Sequence, residues 1–149
     1  MDLLDFVRES NRIEGILREP TEDEMMAHGA ILHLDCITTK DLEGFVGVIA
    51  PGHRLRDQVG LNVRVGDHIA PAGGPQIREE LDHLLRSVNL VDDPWPTHVT
   101  YETLHPFTDG NGRSGRALWL WQMQAAPIGF LHQFYYQTLS GVRAPGVTR

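Results

Sequence analysis

The chain has 149 residues, 41% of them apolar and 22% charged. That composition fits one globular domain with its own core and argues against disorder. A net charge of −7 argues against a general binder of nucleic acid or of anionic membrane surfaces, and no apolar run approaches the length of a membrane span. Cys36 is the only cysteine, so no internal disulfide can form, which fits a reducing cytoplasm. The first five residues carry no basic stretch and no long apolar run, so no signal peptide is expected. Lys40 is the only lysine beside twelve arginines, which removes most lysine-dependent chemistry.

In chain order, Leu3, Leu4, Val7, Ile13, Ile16 and Leu17 follow helical spacing and predict a first helix over 3–17, weakened by Gly15 and ended by Pro20. Thr21 and Glu24 form a capping box that starts a second helix, expected to reach Ile37. A third begins at Thr39 or Lys40 and runs to Ile49, before the Pro51-Gly52 stop. The alternation of Val59, Leu61, Val63 and Val65 with Gly60, Asn62 and Arg64 has a period of two and, with Gly60 and Gly66 at turn or bulge positions, predicts a short β-hairpin within 53–71. Ile77, Leu81, Leu84, Leu85 and Val88 mark an amphipathic helix. Val91 to Pro94 cap the next one, expected from about Pro96 to Leu104. Arg113 to Met123 and Gly129 to Leu139 read as the last two helices, followed by an aperiodic tail from Ser140. There is no internal repeat or linker. The class is all-α with one embedded hairpin, and 1–149 reads as a single domain.

The stretch from His105 to Arg116, HPFTDGNGRSGR, carries the chemistry. A helix ends at a histidine, a tight polar loop follows, and a second helix starts at about Asn111 or Gly112. Gly110 and Gly112 let the backbone approach a ligand closely. Free N–H groups at the start of a helix make an anion site. Arg113 and Arg116, three apart, project from one side of the first turns and suit a polyphosphate. Asp109 offers a hard oxygen to a magnesium ion that would also be held by substrate phosphates. His105 can take a proton near neutral pH. Two rival motifs fail on context. G-x-G-x-x-G over 110–115 marks a dinucleotide site only after a strand in a βαβ unit, and Arg116-Ala117 replaces the Lys-Ser/Thr of a P-loop.

These residues match H-x-F-x-D/E-G-N-G/K-R-x-x-R at every specified position, and the chain up to about Leu139 resembles the Fic family. His98 to Glu102 resembles the helix leading into that motif, Asn62 to Pro71 the flap hairpin, and Phe130-Leu131 with Phe134 to Tyr136 the closing helix. The resemblance implies an all-α Fic-type domain with a short β-hairpin flap over the active site, the flap within 53–71 and the motif loop at 105–116. It implies a protein adenylyltransferase, with ATP and Mg2+ on the motif loop and a target protein as partner. His105 is then the general base that deprotonates a Ser, Thr or Tyr hydroxyl for in-line attack on the α-phosphate. Asp109 holds the metal, and Gly110, Asn111 and Gly112 form the anion hole. Arg113 contacts phosphates near the reaction and Arg116 pairs with the γ-phosphate, while Pro106 and Phe107 fix the loop from below. The flap residues Asn62, Val63 and Arg64 would dock an extended target segment by backbone pairing.

Ser10-Asn11-Arg12-Ile13-Glu14-Gly15 matches a second family pattern, S/T-x-x-x-E-G/N, found on a self-inhibiting helix. The resemblance makes 1–17 an inhibitory helix whose Ser10 and Glu14 share one face, with Glu14 on Arg116 at the seat of the γ-phosphate. Alternatives remain. One is removal of AMP or transfer of another phosphate-linked group; another, of a different class, is a non-catalytic module binding nucleotide or partner, against which an intact His105 argues. A homodimer is left open. Outside the motif the readings are plain. Cys36 is expected to be a small buried residue, and a His28, His33 and Cys36 metal site lacks suitable spacing. Leu118 to Trp121 are expected to be core, Trp95 to sit at a helix junction, and Arg54, Arg56 and Arg64 to be solvated, with contact of one of them to a target or the nucleotide left open.

Overall fold

The computed structural model describes residues 2–88 and 93–123. Among them the order is α1 (Leu3–Ile13), α2 (Glu22–Leu32), α3 (Thr39–Ile49), β1 (Arg64–Val65), β2 (His68–Ile69), α4 (Pro75–Ser87), α5 (Pro94–Leu104) and α6 (Asn111–Met123). The expected closing helix, the aromatic residues 130–136 and the tail from Ser140 lie outside the described residues, as do Val91 and Asp92.

Local chemistry sets most boundaries. Asp2 caps α1 by accepting from the Asp5 N–H. Thr21 with Glu24, and Thr38 with Asp41, form complete capping boxes on α2 and α3, each satisfying two N–H groups that a helix start leaves open. Proline opens both α4 and α5, where its missing N–H costs nothing.

Four expectations need correction. The first helix stops at Ile13, because Glu14 is its cap and Gly15 turns to φ 80°. The second ends at Leu32, not Ile37; α2 packs on α3, and a helix reaching Ile37 would leave no residues to reverse the chain before the Thr38 cap. The hairpin is shorter than the period-two run. Only Arg64↔Ile69 and Val65↔His68 pair, around a turn whose first residue is Gly66 at φ 59°. Upstream, Gly60 at φ 98° and the turn bonds Leu61 N–H to Gln58 O and Asn62 N–H to Gly60 O take the chain out of the strand. The fifth helix also starts two residues earlier than expected, at Pro94, with Asp93 accepting from the Trp95 N–H.

The core gathers around α6. It packs against α5, α2, α3 and α1, and every side chain from Arg113 to Gln122 is buried. Such a helix is central rather than amphipathic. Tyr101, Leu118 and Trp121 meet Leu42, Phe45, Val46, Ile49, Ile77 and Leu81 in one apolar cluster. A second cluster joins Phe6 of α1 to Trp119 and Leu120 of α6, bordered by Trp95. Burying Phe6 is worth about 1.5–3 kcal/mol, so this cluster is what seats α1 on the motif helix.

Two other expectations change. Cys36 is exposed, since it lies in the turn between α2 and α3 and not on a helix face. Arg56 is fully buried, whereas Arg54 and Arg64 face solvent. His28 is buried while His33 faces solvent.

Candidate active site

The site forms where α5 meets α6. α5 ends on His105 in the left-handed region, φ 50° and ψ 63°, the only non-glycine residue at positive φ among those described. That conformation is strained and persists only when its surroundings impose it. Its backbone N–H bonds to Tyr101 O at 2.9 Å, and its Nδ1 lies 3.1 Å from Glu102 O. A carbonyl only accepts, so Nδ1 carries the hydrogen and Nε2 is left with its lone pair. Burial lowers the histidine's pKa from its ordinary value, with His68 and Arg56 acting in the same direction. The backbone bond to Glu102 and the charge of Glu14 oppose this. His105 is therefore neutral at pH 7 and can accept a proton.

The loop after it is braced on both sides. Arg56 N–H donates to Pro106 O at 2.8 Å and Thr108 N–H to Arg54 O at 2.9 Å, flanking a β-bridge between Leu55 and Phe107. Phe107 is buried in the core below. The Asn111 side chain closes a ring on Phe107: Oδ1 accepts from its N–H and Nδ2 donates to its carbonyl, both at 2.8 Å. Asn111 thus offers a ligand only its backbone N–H, since its amide is spent on the loop. Gly110 sits at φ 83° with Ile49 Cδ1 2.9 Å from where a Cβ would be, so both dihedral and space demand glycine. The first bond of α6 runs from Ser114 N–H to Gly110 O. The N–H groups of Asn111, Gly112 and Arg113 therefore have no helical partner and leave an open helix end of the kind that suits an anion.

The two arginines diverge instead of projecting together, because α6 is surrounded. Arg113 sends Nη1 2.7 Å to Ile49 O at the end of α3, holds Nη2 4.0 Å from Asp109 Oδ2, and leaves a buried Nε with no hydrogen-bond partner. Arg116 turns to α1. Its Nε donates to Ser10 Oγ at 2.8 Å, and Nη2 to Ser10 O at 2.9 Å and Glu14 Oε2 at 2.7 Å. Ser10 and Arg116 are buried, whereas the Glu14 side chain is 37% exposed at the cap of α1. A Cβ on Gly112 would strike the Glu14 carboxylate, so Glu14 lies directly over the start of α6. Asp109 is 58% exposed, and its Oδ2 is 3.9 Å from His53 Nε2.

The flap residues separate. Asn62 accepts from Gly73 N–H at 2.9 Å and so ties the hairpin base to the approach to α4. Val63 is half-buried, its carbonyl accepting from Ala70 N–H at 3.3 Å, and Arg64 bonds Gly66 O at the hairpin tip. His68 reaches from the flap to Thr103 O at 2.9 Å.

Sequence reading missed two residues here. Glu102, 18% exposed, has Oε2 3.6 Å from His98 Nε2 and Oε1 3.9 Å from His105 Nδ1. Burial pushes its carboxyl up to about 8, with Glu14 acting in the same direction and Arg116 against. Its position three residues before His105, on the same helix face, was a usable signal. The other is Arg56, for which no periodic signal existed.

Residues 31–123 match the model of the Fic/DOC family, a span that takes in the end of α2, the hairpin and all of 105–116 but not α1. No solved structure matches the chain. No helix among the described residues is long and apolar enough to cross a membrane. With well over half of its length matched, and with a neutral histidine beside an open helix start, the chain belongs to the Fic/DOC family, whose domains are generally transferases.

Proposed function

We propose that the chain is a protein adenylyltransferase held off by its own N-terminal helix, moving AMP from ATP to a Ser, Thr or Tyr hydroxyl of a target protein. The observation that carries this reading is the Glu14–Arg116 pair at 2.7 Å over the open start of α6. A carboxylate occupying an arginine at a phosphate seat competes with phosphate for the same donors.

The donor set suits a nucleotide with a hard cation. The orphaned Nε of Arg113 and the open N–H groups of 111–113 need acceptors, which phosphate oxygens supply. The exposed Asp109 carboxylate is the ligand type that Mg2+ takes alongside phosphates; when bound, the ion would neutralise phosphate charge. Neutral His105, with Nε2 free, accepts the proton of the target hydroxyl, and the resulting oxygen forms its bond to the α-phosphorus as the bond to pyrophosphate breaks. The N–H groups of α6 and Arg113 stabilise the charge that builds on the phosphate, and Arg116 takes the γ-phosphate once Glu14 leaves. Such transfer depends on position and charge stabilisation more than on covalent chemistry. The backbone edge of 59–65 would present the hydroxyl by pairing with an extended target segment.

The test is incubation of the wild type, Glu14→Gly and Glu14→Gly/His105→Ala with α-labelled ATP and Mg2+, followed by intact mass. Releasing one charge-assisted pair corresponds to a rise of about 10- to 100-fold in self-modification for Glu14→Gly, abolished by His105→Ala. Equal labelling of wild type and Glu14→Gly would refute the brake, and no AMP gain in any form would refute the transfer.

A further inference from the structure

Arg56 is 0% exposed and is the last of three residues, Arg54 to Arg56, that pair with the motif loop. All four of its side-chain bonds go to backbone carbonyls. Nε donates to His105 O at 2.7 Å and Nη2 to Leu104 O at 2.9 Å. Nη1 donates to Leu61 O at 2.9 Å and Pro71 O at 2.8 Å. The first pair lies at the end of α5; the second lies on the two arms leading into and out of the hairpin. Its own backbone is pinned as well, N–H to Pro106 O at 2.8 Å and O from Gly74 N–H at 2.9 Å. A buried guanidinium is costly, and its charge here is balanced by carbonyl dipoles, including the negative end of the α5 dipole. Burial lowers its pKa from the usual arginine value; the group stays charged because arginine starts so far above neutrality.

We propose that Arg56 is the positioning residue of the general base: its fork fixes the carbonyl of His105, imposes the left-handed backbone there, and ties the flap to the same point. The strained conformation of His105 then has a cause. Without the fork, the His105 carbonyl is free to turn and the imidazole leaves its place beside the open end of α6. One cation thereby sets both the distance from base to phosphate and the height of the flap that would present the target. Its charge has a second effect, because a buried cation near His105 disfavours the imidazolium. The other charged or titratable groups around His105 are Glu102 on its own helix, His68 on the flap and Glu14 on α1.

This inference rests on His105 acting as the base of the transfer proposed above, and the experiment separates the two. Arg56→Lys and Arg56→Gln are made in the Glu14→Gly chain. Lysine keeps the charge but cannot span four carbonyls; glutamine loses the charge. For Arg56→Lys we expect kcat to fall on the order of 10- to 100-fold, the cost of a displaced catalytic group, with KM for ATP little changed. For Arg56→Gln the His105 imidazole, followed by NMR and assigned by its loss in His105→Ala, should titrate at higher pH, with the acid limb of the rate profile moving the same way. Full kcat in Arg56→Lys, a loss lying wholly in KM, or an unmoved His105 titration in Arg56→Gln overturns the proposal. If Glu14→Gly with Arg56 intact transfers no AMP, the transferase reading fails while the titration still judges Arg56. Should either substitution prevent folding, the unsubstituted chain decides: the Arg56 Nε–H must exchange with solvent far more slowly than those of exposed Arg54 and Arg64, and equal exchange overturns the assignment.

Discussion

At the scale of single residues, the loop is held by groups that never need to touch a ligand. Asn111 is the clearest case, because its amide satisfies the N–H and the carbonyl of buried Phe107 at once. Asn111→Ala leaves both unpaired, at a cost of about 1–3 kcal/mol for each buried group. Thermal melts should show a corresponding loss of stability, and nucleotide binding should weaken because the loop is no longer braced. A melting temperature equal to that of the wild type would show that water replaces the side chain without loss. His105, Asp109, Gly110 and both arginines were legible as a group because their spacing along the chain is itself the signal. Arg56 was not, since one arginine in a polar stretch gives no hint that four carbonyls will converge on it.

At the scale of elements, the proposed brake would depend on how α1 is seated and not on Glu14 alone. Phe6 is buried against Trp119 and Leu120. The segment beyond α1 is latched by Glu24, which accepts from Arg18 at 2.8 Å and from Asn11 at 3.3 Å. Phe6→Ala removes the apolar part of that seat, a loss of about 3–5 kcal/mol for a buried phenylalanine. We expect α1 to detach before the rest unfolds, because no residue of α1 belongs to the larger cluster around Leu42, Phe45 and Leu118. Hydrogen exchange should then show α1 amides losing protection while those of α5 and α6 keep theirs, and AMP incorporation should rise as in Glu14→Gly. Uniform loss of protection would instead make α1 an integral part of the core. The caps of α2 and α3 were readable because a capping box is a four-residue pattern. The hairpin and its turn glycines, Gly60 and Gly66, were readable, but not which residues pair, because the alternation of apolar residues runs on through 59–63 where the chain is no longer a strand.

At the scale of the whole molecule, two buried titratable groups at the α1–α2–α3 seam make stability depend on pH. His28 lies edge-on to Phe6 and to Phe45 at ring distances of 6.4 and 4.8 Å, and burial lowers its pKa to about 4. A folded pKa below the unfolded value of 6.5 means that the unfolded chain binds the extra proton. The stability is therefore present above pH 6.5 and is lost as pH falls toward 4. Glu24, lowered from 4.5 to about 2 chiefly by its bond to Arg18, acts with the same sign in a lower window. A shift of that size corresponds to about 2–3 kcal/mol, reduced by the exposure of Arg18, lost as pH drops from the ordinary glutamate range through 2. The Glu102 carboxyl, raised to about 8, acts with the opposite sign between pH 8 and 4.5, so the effect of His28 is read by difference: the melting temperature of the wild type should drop relative to that of His28→Leu as pH falls from 6.5 to 4. A slope unchanged in His28→Leu would assign the effect elsewhere.

The sequence by itself determined the starts of α1, α2 and α3, the order of the described elements and the identity of the residues at 105–116, because caps, periodicity and a gap-free motif are local properties of the chain. It also placed Ser10 and Glu14 on one face, through their spacing. Only the tertiary structure decided where the long charged side chains go: Arg113 to the end of α3, Arg116 across 102 positions of sequence to Glu14, Arg56 inward to the carbonyls around His105. A guanidinium at the end of a flexible stem has no period, and its partner is whichever carbonyl or carboxylate the packing of helices brings within reach. That is also why the burial of Arg56, the neutrality of His105 and the raised carboxyl of Glu102 became visible only once α5, α6 and the flap had come together.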